Sequence, residues 1–240
     1  FTPDLFFDMV EQHRITATML VPVMIYTLLD SPRAATADLS SLQTIFYGAS
    51  AMSPARLREG IEKWGHIFYQ YFGQSEAPMV ISYLAKGDHT PERLASCGRP
   101  SAFLRTALLG EDGKPVAQGE PGEICVAGPA VFAGYYANPE ANTKAFRDGW
   151  FLTGDLGHID AQGFVYITGR ASDMYISGGS NIYPREIEEK ILTHAGIAEV
   201  AVLGVPDKMW GEVGIAVCVA RQGAAVNEGE MMDYLAPKIP

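Results

Sequence analysis

Between residues 15 and 72 short apolar, β-branched runs alternate with segments of helical periodicity, and this alternation narrows the fold more than any other feature. Residues 15–21 read as a strand, and residues 24–30 as a helix that Ser31-Pro32 ends. Residues 42–47 read as a buried strand, from which Gly48-Ala49-Ser50 leads into a further helix. That helix begins at Ser53-Pro54, a cap residue followed by proline at the first helical position. Leu57, Ile61 and Trp64 follow at spacings of four and three, so they share one helical face. Residues 66–72 supply another strand, broken by Gly73. Strand–helix–strand alternation of this length predicts α/β layers on a largely parallel sheet.

After residue 101 the texture changes to strands and tight turns. Residues 102–109 run into Gly110-Glu111-Asp112-Gly113, and residues 122–126 follow Gly119-Glu120-Pro121. Residues 154–159 and 164–168 flank Asp160-Ala161-Gln162-Gly163, a hairpin signal. A small β-barrel or curled sheet is expected here. Past Gly169, Pro184 opens a helix with Glu186, Glu188 and Glu189 near its N-terminus, where the helix dipole favours negative charge. Ile182, Ile187 and Ile191 give it an apolar stripe. Residues 200–205 and 213–219 read as paired strands and 228–235 as a second helix, together a small α+β unit. The expected organisation is therefore an α/β part over 1–100, a barrel-like part over 101–170 and an α+β domain over 171–240, with a boundary near Arg170 to Asp173.

Composition removes several classes of function. Eighteen Lys and Arg stand against 28 Asp and Glu, a net charge of −10, and no basic run occurs. Nucleic acid is thus not an expected partner, since its affinity rests on basic side chains that displace counterions. An apolar content of 48% is enough for a substantial core. The longest apolar stretch, residues 19–29, contains Pro22 and is shorter than the ~20 residues of a membrane span. No secretory signal is visible, and Cys97, Cys125 and Cys218, few and far apart, suit reduced thiols in a cytoplasmic protein. Phe1 in place of Met, and the abrupt end at Lys238-Ile239-Pro240, read as a piece of something longer.

Four constellations carry groups able to do chemistry. The first, Tyr71-Phe72-Gly73-Gln74-Ser75-Glu76, sits where a strand ends and a helix is expected to begin. A ring there can stack on a base, glycine lets the backbone approach, Ser75 can donate to phosphate, and Glu76 can hold Mg2+ through oxygen. An ordinary aromatic-glycine turn is the alternative. In the second, Trp150-Phe151-Leu152-Thr153-Gly154-Asp155, an ionised aspartate can accept from both hydroxyls of a ribose, or simply occupy a turn. The third, Gly169-Arg170 with Asp173 behind it, offers a permanent cation for ribose or phosphate, or a surface ion pair. The fourth runs Ser177-Gly178-Gly179-Ser180-Asn181-Ile182-Tyr183-Pro184 and can cradle an anion at a helix start, or form a flexible turn.

Taken in order, these segments resemble the adenylate-forming superfamily, the acyl- and aryl-CoA synthetases with their luciferase and peptide-synthetase relatives. Tyr71 to Glu76 resembles its aromatic-Gly-x-(Ser/Thr)-Glu signature. Gly134-Tyr135-Tyr136, Asn138-Pro139, Phe146, Gly149-Trp150 and Thr153-Gly154-Asp155 resemble its Gly-Tyr…Asn-Pro…Phe…Gly-Trp…Thr-Gly-Asp segment. Gly169-Arg170 through Glu188 resembles its Gly-Arg hinge and the Gly-Gly-x-Asn-Ile-Tyr-Pro stretch after it. The resemblance implies part of an adenylate-forming fold and an acid–CoA ligase. Such an enzyme forms an acyl-adenylate and pyrophosphate from a carboxylic acid and ATP, then lets the CoA thiol displace AMP.

The same resemblance implies the residue roles. Phe72 would stack on adenine, with Gly48, Ala49 and Ser50 bordering it. Ser75 would contact the α-phosphate, Glu76 would bind Mg2+, and Asp155 with Arg170 would hold the ribose. Gly178 and Gly179 would line the CoA channel near Trp210 once the C-terminal domain rotates about Ser172, where relatives usually carry Asp or Lys. Val23, Phe46, Gly48, Tyr71 and Met79 would border the acid, and the bulk of Tyr71, where many relatives have glycine, would favour aromatic or medium-chain acids. The family's phosphate loop and adenylating lysine are expected outside the chain, so this segment alone is expected to be a poor catalyst or none; Lys238 is not read as that lysine. The partners implied are a carboxylic acid, ATP and CoA, with a homo-oligomer left open. Two other functions stay open, an adenylation domain loading a carrier protein and a nucleotide-binding fragment without turnover.

Overall fold

A computed structural model describes residues 1–221 and 223–238. Ile239 and Pro240, the abrupt end noted in the sequence, lie outside them. The chain divides into two units, Phe1–Thr153 with His158–Tyr166, and Gly154–Gly157 with the chain from Ile167 onward.

In the first unit, α1 (Pro3–His13) starts where the Thr2 hydroxyl accepts the Leu5 N–H at 3.3 Å. Its buried Phe7 and Val10 pack into a core with Ile25, Leu28, Ile45, Tyr47, Leu57 and Phe68. The sheet that this core lies against contains β1 (Ala17–Leu20), β2 (Thr44–Gly48), β3 (Phe68–Gln74), β4 (Ala77–Leu84) and β5 (Arg99–Pro100), in that order. The helices α2 (Pro22–Leu29) and α3 (Pro54–Trp64) fall between β1, β2 and β3, which run parallel as the alternation predicts. β4 and β5 instead run antiparallel. The helix expected after Glu76 does not form, because Gln74 pairs with Ala77 and the chain reverses over Ser75 and Glu76.

α3 begins at Ser53-Pro54 as expected, although Ser53 makes no side-chain capping bond; its N–H donates to the Tyr26 hydroxyl at 2.7 Å. Leu57 is buried, with Ile61 and Trp64 packed at the edge of the same core. Arg56 is buried too, and its guanidinium is matched by Asp30 at 2.6 Å, Glu59 at 2.6 Å and the Tyr26 carbonyl at 3.0 Å. A second buried polar group fixes the end of β2. His89 Nδ1 lies 2.8 Å from the Ala85 carbonyl, which can only accept, so Nδ1 carries the proton and Nε2 accepts from the Tyr47 hydroxyl at 3.1 Å. Burial lowers the His89 pKa and keeps that ring neutral.

The second sheet contains β6 (Arg105–Leu109), β7 (Gly122–Ala127), β8 (Phe146–Arg147), β9 (Trp150–Ile159) and β10 (Val165–Arg170), with α4 (Pro139–Ala145) before β8. Its order is β10-β9-β7-β6, with β8 paired to β9. The expected barrel is corrected to an open sheet, since among the described residues no pairing joins β10 to β6. The physical reason lies at Val165: its N–H donates to the Gly98 carbonyl at 2.7 Å, and its own carbonyl accepts the Cys97 N–H at 2.9 Å. Residues 96–101 therefore stitch the two sheets together, with the Ser82 hydroxyl donating to the Cys97 carbonyl at 2.7 Å and the Ser101 N–H to Ile81 at 3.0 Å. Beside this seam Phe164 is fully buried, with the guanidinium carbons of Arg93 and Arg99 each 4.2 Å from its ring centroid.

The second unit holds β11 (Tyr175–Ser177), β12 (Ser180–Ile182), α5 (Pro184–Leu192), β13 (Ile197–Asp207), β14 (Gly211–Ala220) and α6 (Glu228–Leu235). Its sheet, β12-β11-β14-β13, is antiparallel, and Tyr175, Ile191, Ile197, Val202 and Met231 form its core. The helix at Pro184, the paired strands and the last helix stand where the sequence predicts them. Among the described residues no helix is long and apolar enough to cross a membrane. Cys97 and Cys125 are buried thiols and Cys218 an exposed one. Burial, with the Glu123 carboxylate adding, pushes the Cys125 thiol up to about 12, which suits an inert core residue.

Candidate functional site

In the first unit the candidate residues gather at the ends of β2 and β3. Gly48 pairs with Tyr71 in the parallel ladder, and Ala49 and Ser50 follow it as an exposed turn, with Ala49 at φ +70°. Side chains alternate along a strand, so Tyr71 and Phe72 face opposite sides of the sheet. Phe72 lies on the side of Phe68 and Gln70. On the other side Tyr71 stacks with Phe46 at 5.4 Å between centroids and tilts against Tyr69 at 5.1 Å, while Tyr69 stacks on Tyr83 at 5.9 Å. Of the residues expected around an acid, Phe46, Gly48 and Tyr71 thus come together. Val23 and Met79 are 54% and 44% exposed.

Gly73 is the break in β3, where the register shifts between Phe72 and Gln74. A Cβ there would overlap the Met79 backbone nitrogen, so this close crossing of β3 and β4 admits only glycine. The crossing presents Ser75, exposed, and Glu76, half-buried, as the two residues of a tight turn. Gln74 is tied inward, its Nε2 donating to the Thr153 carbonyl at 2.8 Å, and the Thr153 hydroxyl donates to the Ile124 carbonyl at 2.7 Å. Glu76 is held by two bonds. Its carbonyl accepts the Phe132 N–H at 2.8 Å, and its Oε1 accepts the Tyr135 hydroxyl at 2.8 Å. That second bond raises the Tyr135 pKa above the ordinary phenol value. In the sequence Gly134-Tyr135-Tyr136 is a motif without an assigned role for Tyr135; its link to Glu76 appears only when the chain folds.

In the second unit Asp155 and Arg170 meet. Arg170 Nε lies 3.0 Å from Asp155 Oδ1, with the aspartate side chain 10% exposed and the arginine 54%. The Ala171 N–H donates to the Gly154 carbonyl at 2.8 Å, which holds the two segments side by side. Ser172 is exposed, and its hydroxyl donates to Asp173 Oδ1 at 2.8 Å. Gly178 and Trp210 also come together, the Gly178 N–H donating to the Trp210 carbonyl at 2.9 Å beneath the exposed indole. Asp207 holds that turn by accepting from the N–H groups of Met209 and Trp210, and these bonds keep its carboxyl below the usual range. Gly179 has open space about its Cα. Among the described residues no cluster of three or more His, Cys, Asp or Glu could hold a metal by itself.

Residues 1–136 match the model of the AMP-binding enzyme family. The chain belongs to that family. Residues 186–240 match the model of the AMP-binding enzyme C-terminal domain as well. It is 55% identical, over 95% of its own length and 40% of the relative's, to the medium/long-chain-fatty-acid–CoA ligase FadD8 of Mycobacterium tuberculosis. With the feruloyl-CoA synthase of an Amycolatopsis species it shares 40% identity over 100% of its length and 48% of the relative's. Its fold superposes on the crystal structure of ATP-bound MatB from Rhodopseudomonas palustris with a TM-score of 0.92 at 35% identity, covering 100% of this chain and 47% of that one. The chain thus spans less than half the length of these relatives.

Proposed function

We propose that the full-length protein is an ATP-dependent acid–CoA ligase of the cytoplasm, with a fatty or aromatic carboxylic acid as substrate. The observation that carries this reading is the likeness to FadD8, a CoA ligase by name, at 55% identity over 95% of the chain. The acid carboxylate attacks the α-phosphorus of ATP and pyrophosphate leaves; the CoA thiol then attacks the acyl carbon, giving the thioester and AMP. Phe72 supplies a face for adenine beside Gly48, Ala49 and Ser50, and Ser75 a hydroxyl for the α-phosphate. Asp155, steadied by Arg170, accepts from the ribose hydroxyls. Gly178, Gly179 and Trp210 form the surface for CoA, and Ser172 marks the hinge.

Glu76 fits a Mg2+ ion that takes most of its ligands from phosphates and water. It stands half-buried in a tight turn beside exposed Ser75, Tyr135 engages Oε1, and such sites use one or two carboxylates and no full protein cage. When bound, Mg2+ would neutralise charge on the departing pyrophosphate; the chain's part is to present Glu76 and Ser75 together.

The test is CoA-dependent AMP release by the full-length protein over a panel of carboxylic acids. Turnover is expected with aromatic and medium-chain acids. Acyl transfer to the thiol of a carrier protein, with AMP released and no turnover of CoA, would overturn the reading. A narrower expectation concerns Tyr71, whose ring is braced by Phe46 and Tyr69 and so cannot swing aside without disrupting the aromatic cluster. Tyr71→Gly is expected to shift kcat/KM towards longer acids by about tenfold, the order of one or two methylenes accommodated. An unchanged chain-length profile would remove Tyr71 from the acid pocket.

A further inference from the structure

Glu76 stands in a two-residue turn, where an isolated carboxylate would sample several rotamers. The structure gives it a donor from far along the chain, and that donor is itself unusually constrained. The Tyr135 hydroxyl reaches Glu76 Oε1 at 2.8 Å. The backbone leading to Tyr135 is bonded to the same residue, because the Phe132 N–H donates to the Glu76 carbonyl at 2.8 Å. Asn142 then brackets the Tyr135 peptide groups from both sides: its Oδ1 accepts the Tyr135 N–H at 2.6 Å and its Nδ2 donates to the Tyr135 carbonyl at 3.0 Å. Asn142 belongs to α4, whose first turn is closed by Asn138 accepting the Ala141 N–H at 3.1 Å. Phe132 meets the tyrosine ring edge to face at 4.9 Å between centroids and stacks on Phe146 at 5.4 Å. The neighbouring Tyr136, by contrast, is 99% exposed.

We propose that Tyr135 is a positioning residue for the metal–nucleotide complex: held by Asn142, it fixes the Glu76 carboxylate through Oε1 and leaves Oε2 for the cation. The proposal rests on the reading of Glu76 as the Mg2+ ligand given above. Tyr135 touches neither metal nor nucleotide in this scheme, and acts only through the carboxylate it orients. Outer-shell partners of this kind typically govern metal affinity by ten- to a hundredfold.

The test compares ATP affinity of the full-length protein by calorimetry in excess EDTA and in saturating Mg2+. Tyr135→Phe keeps the ring against Phe132 and removes only the hydroxyl. It is expected to bind ATP normally in EDTA, to lose about tenfold of the Mg2+-dependent gain, and to keep its thermal midpoint. Asn142→Ala should lose a similar factor, and the double variant should lose no more than the worse single one. Glu76→Gln should lose the Mg2+-dependent gain altogether. If Glu76→Gln keeps that gain, the metal reading falls and this proposal with it. If Glu76→Gln loses it but Tyr135→Phe does not, only the positioning role is overturned. Equal losses for Tyr135→Phe with and without Mg2+ would also overturn that role, since they would mark Tyr135 as merely structural.

Discussion

Asp155→Ala in the full-length protein is expected to weaken ATP binding by roughly 1.5–3 kcal/mol, the range for hydrogen bonds to a charged acceptor, about ten- to a hundredfold in Kd. The aspartate side chain is 10% exposed and already paired with Arg170 at 3.0 Å, so it is held in one orientation before nucleotide arrives. A vicinal diol presents two donors that two carboxylate oxygens can accept together, and alanine offers neither. Arg170, at 54% exposed, keeps its hydration when its partner is removed, so affinity and not folding should carry the larger loss. Calorimetry with ATP and with an analogue lacking both ribose hydroxyls separates the contributions. The wild type should prefer ATP strongly and the variant should bind the two alike. Wild-type ATP affinity in Asp155→Ala would remove this residue from the ribose site.

The sequence shows most clearly those elements whose signals are local. Ser53-Pro54 starts α3, the Glu-rich turn after Pro184 starts α5, and residues 228–235 form the last helix with the bounds their pattern predicts. Each depends on a cap, a proline or a periodicity contained within a few residues. Most of what the sequence did not show depended on strand pairing or on partners outside the local pattern. Ser75 and Glu76 read as the polar opening of a helix, because such residues also start helices, and only the pairing of Gln74 with Ala77 makes them a hairpin turn. The barrel expected over residues 101–170 needed β10 to find β6, but the Cys97–Gly98 segment reaches Val165 first. α1 begins on the same cap-and-proline signal at Thr2-Pro3 as α3 does at Ser53-Pro54, a helix the alternation beginning at residue 15 leaves out. At the site, Glu76, Asp155 and Arg170 were legible as chemistry within short motifs. Tyr135 was not, since its function depends on a partner 59 residues away.

Gly98→Ala is expected to destabilise the first unit by about 2–5 kcal/mol, a large part of the 5–15 kcal/mol that holds a typical domain. Two costs add at this position. Gly98 has φ +88°, where an L-residue is strained by roughly 1–2 kcal/mol. An added Cβ would also run into the Tyr83 carbonyl and the Leu84 nitrogen, backbone atoms of β4 that cannot rotate away, at an overpacking cost of about 1–3 kcal/mol. Neither side can yield, for the Gly98 carbonyl is bonded to Val165 at 2.7 Å and its N–H donates to Ser96 Oγ at 2.9 Å. Gly119 provides the control, having the same φ of +88° with nothing within 4 Å of its added Cβ. Gly119→Ala should therefore show the backbone strain alone. Urea midpoints of the two variants, taken with equal m-values, measure the difference as the cost of forcing the two sheets apart at their seam. Equal destabilisation by both substitutions would show that the β4 crossing yields freely and that the close approach does not tie the sheets together.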